Sequence, residues 1–345
     1  MVKLKDKVLS VPLIQGGMGV GISLGNLAGH VARCGAMGVI SSVNCGYREE
    51  DFDRNPVEAN LRSLEQEIRK AKEISQGKGL IGVNIMTAVS HYKETCLCAV
   101  RAGADVIISG AGLPMALAEY VKDSETLFAP IVSSARAARL LIRHYAKRFS
   151  ARPDFFVIEG NKAGGHLGFA KDDLLANTAQ TNDEILSETL PVVEDIPVFV
   201  AGGVFDKEDI SHYIDKGAAG VQIGTRFIAT EECDASLGFK QAIVNAKEED
   251  AIIIQSPVGM PARALNSPLL QKLSAGGEFQ AIHCNNCLDA CPKGRKTIYC
   301  ISRALVEAVK GNWEEGLFFT GANVGRINEI VSVESLIGEL TVGLT

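Results

Sequence analysis

The stretch EGNKAGGHLG, Glu159 to Gly168, ends a run of β-formers with a carboxylate, an amide, a lysine, paired glycines and one histidine. An imidazole titrating near about 6.5 can take or give a proton at neutral pH. His166 is therefore the candidate catalytic acid–base; the plainer alternative is a surface or capping histidine. The other five histidines lack this setting. His30, His91, His144 and His212 fall in helical patterns, and His283 borders a cysteine cluster.

Other apolar runs also end in residues suited to holding a ligand. The first ends in Gly16-Gly17-Met18, and the third contains Asn84. The seventh ends in Gly202-Gly203, and the eighth in Gln222-Ile223-Gly224-Thr225. Glycine lets backbone N–H groups approach an anion, and Thr225 adds a hydroxyl, so the last two ends together suggest a phosphate site. Two glycines with a polarizable thioether suit a planar ring lying against backbone. Asn84 can donate and accept at the edge of such a ring. A flavin mononucleotide, FMN, fits both ends; Met18 as core filler remains the alternative.

Four of the nine cysteines cluster as C-x2-C-x3-C-P with a fourth after eight more residues: Cys284, Cys287, Cys291 and Cys300. In a reducing compartment such a cluster points to metal rather than disulfides. Four thiolates can hold zinc or an iron–sulfur cluster. The uneven spacing and the Cys-Pro step favour [4Fe–4S], with Zn as the alternative.

The elements that must position these residues recur along the chain. Eight short apolar runs begin at Pro12, Gly38, Leu80, Asp105, Ala129, Phe155, Pro197 and Gly220. Both faces of each run are apolar, as in parallel strands covered on both sides. Helical patterns lie between them, including Pro56 to Ile74, Ala135 to Phe149 and Lys207 to Lys216. This alternation predicts a TIM (β/α)8 barrel over residues 1–230, with its site at the C-terminal strand ends. A doubly wound open sheet is the weaker alternative, because no G-x-G-x-x-G opens a first helix. Residues 231–345 read as a helical appendage carrying the four cysteines and a tail that packs on the barrel.

With 345 residues, 46% hydrophobic and 22% charged, the chain is globular in composition. A net charge of −6 with scattered Lys and Arg predicts no nucleic-acid partner. No apolar run reaches the roughly 18–20 residues a membrane span needs, and no signal peptide is read at the N-terminus, so the expectation is a cytoplasmic protein without membrane contact.

PLIQGGMGVGIS, GVN, EGNKAGGHLG, VAGGV and QIGTRF resemble the nitronate monooxygenase (2-nitropropane dioxygenase) family, which includes flavin-type enoyl-ACP reductases. The resemblance runs from about Pro12 to Phe227. It implies an FMN barrel with His166 as acid–base and flavin contacts at Gly16, Gly17, Met18, Asn84, Gly164, Gly202, Gly203, Gln222, Gly224 and Thr225. Glu159, counted with these contacts, stands where many nitronate monooxygenases have Gln and enoyl reductases often have Glu. SPVGMPARALN, the cysteine segment and GNWEEGLFFTGAN extend the resemblance over nearly the whole chain. They are similar to bacterial FMN and [4Fe–4S] acyl-ACP dehydrogenase/isomerases of unsaturated fatty acid synthesis. The implied enzyme is an FMN-dependent oxidoreductase acting on an acidic C–H beside a carbonyl or nitro group. Its substrate is a small molecule or an acyl chain on a carrier protein, and a homodimer is compatible with the reading. A nitronate monooxygenase using O2 and a non-catalytic redox sensor are the alternatives.

Overall fold

In the computed structural model, which describes residues 1–282, 284–288, 291, 297 and 299–344, eight parallel strands close into a barrel. They are β1 (Leu13–Gln15), β2 (Met37–Ser41), β3 (Leu80–Met86), β4 (Val106–Gly110), β5 (Leu127–Val132), β6 (Phe156–Glu159), β7 (Val198–Ala201) and β8 (Gly220–Ile223). Each coincides with one apolar run. Neighbours in space follow chain order, and β8 closes on β1 with Val221 opposite Leu13 and Ile223 opposite Gln15.

The strands are apolar on both faces because each face meets a different core. Phe155, Val157, Phe199 and Ala201 point into the barrel with Val39, Val106 and Ile108. Phe156, Ile158, Val198 and Val200 point outward to the helices. That period-two partition is what a parallel barrel demands. A hairpin of Val2–Leu4 and Lys7–Leu9 adds Leu4 and Leu9 to the inner cluster. The alternation VKLKDKVL encodes that hairpin.

Helices follow the strands as expected. Pro56–Ser75 buries Leu64, Ile68 and Ala71 on one stripe, starts with Pro at its first turn and ends at Gln76 in the left-handed conformation. The helix Gly25–Arg33 lies so close to β2 that a Cβ on Gly38 would come within 1.9 Å of the Ala28 carbonyl oxygen. Among the described residues, no helix is long and apolar enough to cross a membrane.

Beyond the barrel the structure corrects the sequence reading. Helices and loops are expected there, but residues 251–265 form a hairpin of β9 (Ala251–Gln255) and β10 (Pro261–Leu265). Three consecutive isoleucines favour strand, and Gly259 at φ +84° makes the turn. The outer edge of β10 pairs with Gly165–His166, with Ala262 opposite His166. The β9–β10 hairpin therefore holds the barrel's histidine loop in a shared three-stranded sheet.

The expected helices are also present: Leu237–Val244, Pro268–Ser274, Ile301–Val309 and Val333–Thr341. Phe239, Ile243, Phe318 and Leu336 join the same hydrophobic core as the barrel's outer face. A separate apolar cluster, including Leu269, Phe279, Leu288, Tyr299 and Leu317, supports the cysteine-bearing segment.

Candidate functional site

The C-terminal strand ends open into one cavity of about 450 Å³, a size suited to a small ligand. All twelve barrel residues expected at the site, from Gly16 to Thr225, line it. Parallel strands bring residues far apart in sequence onto one rim.

His166 is fixed from two sides. Its backbone pairs with Ala262, and its Nε2 lies 2.8 Å from the Ser256 hydroxyl. The Phe319 ring meets the imidazole edge-on at 5.2 Å between centroids. Burial lowers the imidazole pKa to about 4, so the ring is neutral at physiological pH. Glu159, at the end of β6, responds in the opposite direction: burial raises its carboxyl to about 7. The cavity thus holds one neutral imidazole and one carboxyl poised between its two protonation states.

The glycine rim is built on fixed peptide planes. Gly202 and Gly203 adopt φ +86° and +90°, which a side chain would strain. Asn182 Nδ2 donates to the Gly202 carbonyl at 2.7 Å, and Asn323 Nδ2 donates to the Gly203 carbonyl at 2.6 Å. A trans peptide sets N–H opposite C=O, so these bonds also fix the N–H groups of Gly203 and Val204. Thr225 Oγ1 accepts from Gly321 N–H at 2.9 Å and keeps its own hydrogen to donate. The helix Thr225–Ile228 has only four residues. Its dipole is correspondingly small, so an anion here would be held by individual N–H groups rather than a helix terminus.

Two of the expected ligand glycines also have close structural neighbours. A Cβ on Gly17 would come within 2.3 Å of the Asn84 Cβ, and one on Gly164 within 2.5 Å of the Thr320 carbonyl carbon. Gly17 seats Asn84, and Gly164 admits the tail loop. The Met18 sulfur lies 3.6 Å from where a Gly224 Cβ would stand, so this thioether packs across β8 while facing the cavity. An FMN is compatible with this lining: glycine backbone for phosphate, the Asn84 and Gln222 amides, and an open volume between them.

The sequence profile described as nitronate monooxygenase matches residues 2–343. The chain belongs to this family. Among known proteins it is similar to the (3aS,4S,5R,7aS)-5-hydroxy-7a-methyl-1-oxo-octahydro-1H-indene-4-carboxyl-CoA dehydrogenase of Rhodococcus jostii. The two are 27% identical over 271 residues, 79% of this chain and 67% of that protein. A probable nitronate monooxygenase of Staphylococcus saprophyticus is 26% identical over 55% of this chain and 52% of its own length. The chain therefore spans about two thirds of the first relative's length and about half of the second's. Among solved structures, FabK from Thermotoga maritima superposes with TM-score 0.75 at 26% identity, covering 96% of this chain and 92% of FabK.

Sequence reading missed several residues of this nitronate monooxygenase-family site. Ser256 is one, because a serine next to Pro257 in a predicted loop carries no distinguishing signal. Arg263 is another. Its guanidinium donates to the carbonyls of Asn161 and Ala163 at 2.9 and 2.6 Å, holding the histidine loop against the hairpin. The tail loop, which the whole-chain resemblance already suggests borders the substrate, contributes Phe319 to Asn323 to the cavity lining, and Ala322 N–H donates to the Lys162 carbonyl at 3.1 Å.

The four clustered cysteines line a second cavity, of about 700 Å³. Cys284 is exposed, the other three are half-buried, and Cys300 caps the helix Ile301–Val309. Burial, and then the neighbouring Cys300, Cys291 and Cys284, push the Cys287 thiol up to about 11. Cys287 therefore lies within electrostatic reach of the other three. Among the described residues, however, no three His, Cys, Asp or Glu side chains are grouped as a metal site. The thiol chemistry suits a soft metal or cluster, but the expected closed ligand set is not formed there. His283 and Pro292 of the same motif lie outside the described residues.

Proposed function

We propose that this chain is an FMN-dependent oxidoreductase acting on an acidic C–H next to an acyl-thioester carbonyl. The observation that carries the reading is His166, a neutral, half-buried imidazole held on the rim of a glycine-lined cavity. Gly202 to Val204, Gly224 and Thr225 would hold the phosphate; Gly16, Met18, Asn84 and Gln222 would face the ring. Bound FMN supplies two-electron oxidation and reduction. His166 takes the proton from the activated carbon. Returning that proton to another carbon gives isomerisation; releasing it to solvent completes dehydrogenation. Glu159, protonated below about 7, can lie near an electron-rich ring or carbonyl without charge repulsion.

A thioester is favoured because the Rhodococcus relative is a CoA-ester dehydrogenase by name, and because Met260, Leu305 and Phe319 add an apolar wall to the cavity. An acyl-carrier-protein thioester offers the same reacting group. The second reading, oxidation of alkyl nitronates with O2, draws on the probable nitronate monooxygenases among the relatives. Both substrates need the same base.

Cys284, Cys287, Cys291 and Cys300 are proposed to hold one [4Fe–4S] cluster, with zinc as the competing occupant. Four thiols around one cavity support this, and the hydrogen-bonded start of the Ile301–Val309 helix would be tied to that cluster through Cys300. The appendage, residues 231–345, is proposed to serve as a unit that carries these cysteines and completes the barrel's site.

The test is anaerobic purification with flavin, iron and sulfide analysis, followed by mixing with acyl-CoA, acyl-carrier protein, NAD(P)H or a nitronate. Bleaching of flavin absorbance by an acyl thioester is the expected result. Reaction with nitronate alone would replace the thioester reading with the second one.

A further inference from the structure

The loop before His166 and the turn after β7 share one hydrogen-bonding arrangement. Arg263 Nη1 donates to the Asn161 and Ala163 carbonyls at 2.9 and 2.6 Å. The Asn182 and Asn323 amides donate to the Gly202 and Gly203 carbonyls at 2.7 and 2.6 Å. Four carbonyls are thus held by side-chain donors, and in a trans peptide the N–H points the opposite way. Those N–H groups belong to Lys162, Gly164, Gly203 and Val204, all of which line the cavity. Among the described residues none of the four donates to a protein acceptor. Val204 is buried, and a buried N–H is rarely left without an acceptor, so a ligand or water is the expected partner. The two segments also adjoin. A Cβ on Gly203 would stand 2.9 Å from the Lys162 Cβ, and one on Gly321 would stand 3.1 Å from Thr225 Oγ1 and 3.8 Å from the Gly164 nitrogen.

Charge distinguishes Arg263 from the two amides. The residue is only 9% exposed, and among the described residues no carboxylate pairs with it. A buried charge is costly unless it is paired. Arg263 stands behind the Ala163–Gly164 peptide rather than in the cavity lining, and a charged donor on a carbonyl polarises the peptide and strengthens its N–H as a donor. The other cations at the cavity offer no equivalent: Lys162 is exposed, and Arg226 forms a two-bond pair with Glu339.

We propose that Arg263, Asn182 and Asn323 are positioning residues of one anion pocket, and that Arg263 supplies its positive charge through the Ala163–Gly164 peptide, so that the rim selects a phosphate ester over its neutral parent. This rests on the FMN reading and deepens it: the counter-ion that Arg263 lacks is the cofactor's phosphate.

The test compares FMN with riboflavin, which carries the same ring and chain without the phosphate. Each is titrated into the flavin-free full-length chain and followed by fluorescence quenching. Wild-type protein should bind FMN roughly a hundredfold more tightly than riboflavin. Arg263→Gln keeps a donor but removes the charge, and should cut that preference roughly tenfold while riboflavin affinity stays near wild type. Arg263→Lys should restore most of the preference, and Asn323→Ala should reduce it about threefold. An unchanged preference in Arg263→Gln, or equal weakening of both flavins, would make Arg263 a brace of the histidine loop and overturn the proposal. Should Arg263→Gln fail to fold, the wild type carries the charge test: the 31P resonance of its bound FMN should report a dianion below the ordinary second phosphate pKa of about 6. Titration at or above that value overturns the proposal. Inorganic phosphate, followed by 31P line broadening, separates this pocket from the FMN reading. Phosphate held by the wild type and released by Asn323→Ala, in a chain that binds neither flavin, would keep the pocket and discard FMN. A chain that binds neither flavin nor phosphate discards both.

Discussion

The barrel rim and the cysteine cavity are both partly desolvated pockets lined by titratable groups, yet burial serves them in opposite ways. At the rim it keeps His166 uncharged, which is the state a base needs before it acts. At Cys287 it favours the protonated thiol, whereas a metal ligand must be a thiolate. The His166 ring is neutral without a ligand; the Cys287 thiol would become a thiolate only with a cation to balance it. Backbone follows the same division. The rim hangs on paired strands and glycines with fixed φ, while Cys284, Cys287 and Cys291 lie on irregular chain.

Replacing His166 by Gln gives the largest expected effect. Turnover should fall by roughly 10²–10⁴, the usual share of a general acid–base. Flavin content should remain near that of the wild type, because the glycine rim is untouched. Stopped-flow flavin bleaching with separate cofactor quantitation measures both. Near-normal turnover would assign the proton to another group, with Glu159 first in line.

Cys287→Ser should affect the other region selectively. Iron and labile sulfide, expected at about four each per chain for the proposed cluster type, should be lost while flavin stays bound. If the purified wild-type chain instead carries stoichiometric zinc without sulfide, the site is a zinc knuckle. If flavin leaves together with the metal, the two regions are one cooperative unit and the contrast drawn between them fails.

Gly202→Ala probes the rim with a smaller expected effect. Its left-handed φ costs a side chain about 1–2 kcal/mol, and the new Cβ would meet the Gly160 carbonyl at 2.9 Å. The melting temperature should drop by several degrees, and FMN should bind more weakly. Calorimetry and fluorescence titration check the two parts. Loss of stability with unchanged FMN affinity would make this glycine a turn device only.

The barrel was legible because each strand carries its own signal: PVFVAGG states both its apolar faces and its rim. His166 was legible from its glycines, and the phosphate side from two glycine-rich ends that agree. The hairpin β9–β10 was not, although IIIQ is strand-like, because SPVGMP dominates the reading as loop and no local pattern says that its partner is Gly165–His166, nearly a hundred residues earlier. Ser256 and Arg263 acquire meaning only from that pairing. The cysteine spacing stated the donor set but not its closure, since thiols on irregular chain are placed by packing against Phe279, Leu288 and Tyr299 rather than by periodicity.

The last expected effect is read only through pH; it concerns Glu159, and it opposes that of His166 in sign. Its carboxyl is raised in the folded protein to about 7 from an ordinary value near 4.5. Between those values the folded state holds more proton than the unfolded chain, so stability falls as pH rises through this window. His166, lowered to about 4 from 6.5, makes the folded state hold less proton, so its contribution rises with pH between 4 and 6.5. The two slopes partly cancel in the cofactor-free wild-type protein. Glu159→Gln removes the falling one and leaves the rising one. The variant should therefore match the wild type near pH 4.5 and melt at a higher temperature at pH 8, where wild-type Glu159 must be ionised in a desolvated place. Differential scanning calorimetry of the flavin-free chain at the two pH values reads this directly. An equal shift at both pH values would mean that the glutamine changes packing rather than charge. A variant less stable than the wild type only at pH 8 would mean that ionised Glu159 has a favourable partner in the cavity, and the rim would then resemble the cysteine pocket, with its working charge supplied by a neighbour.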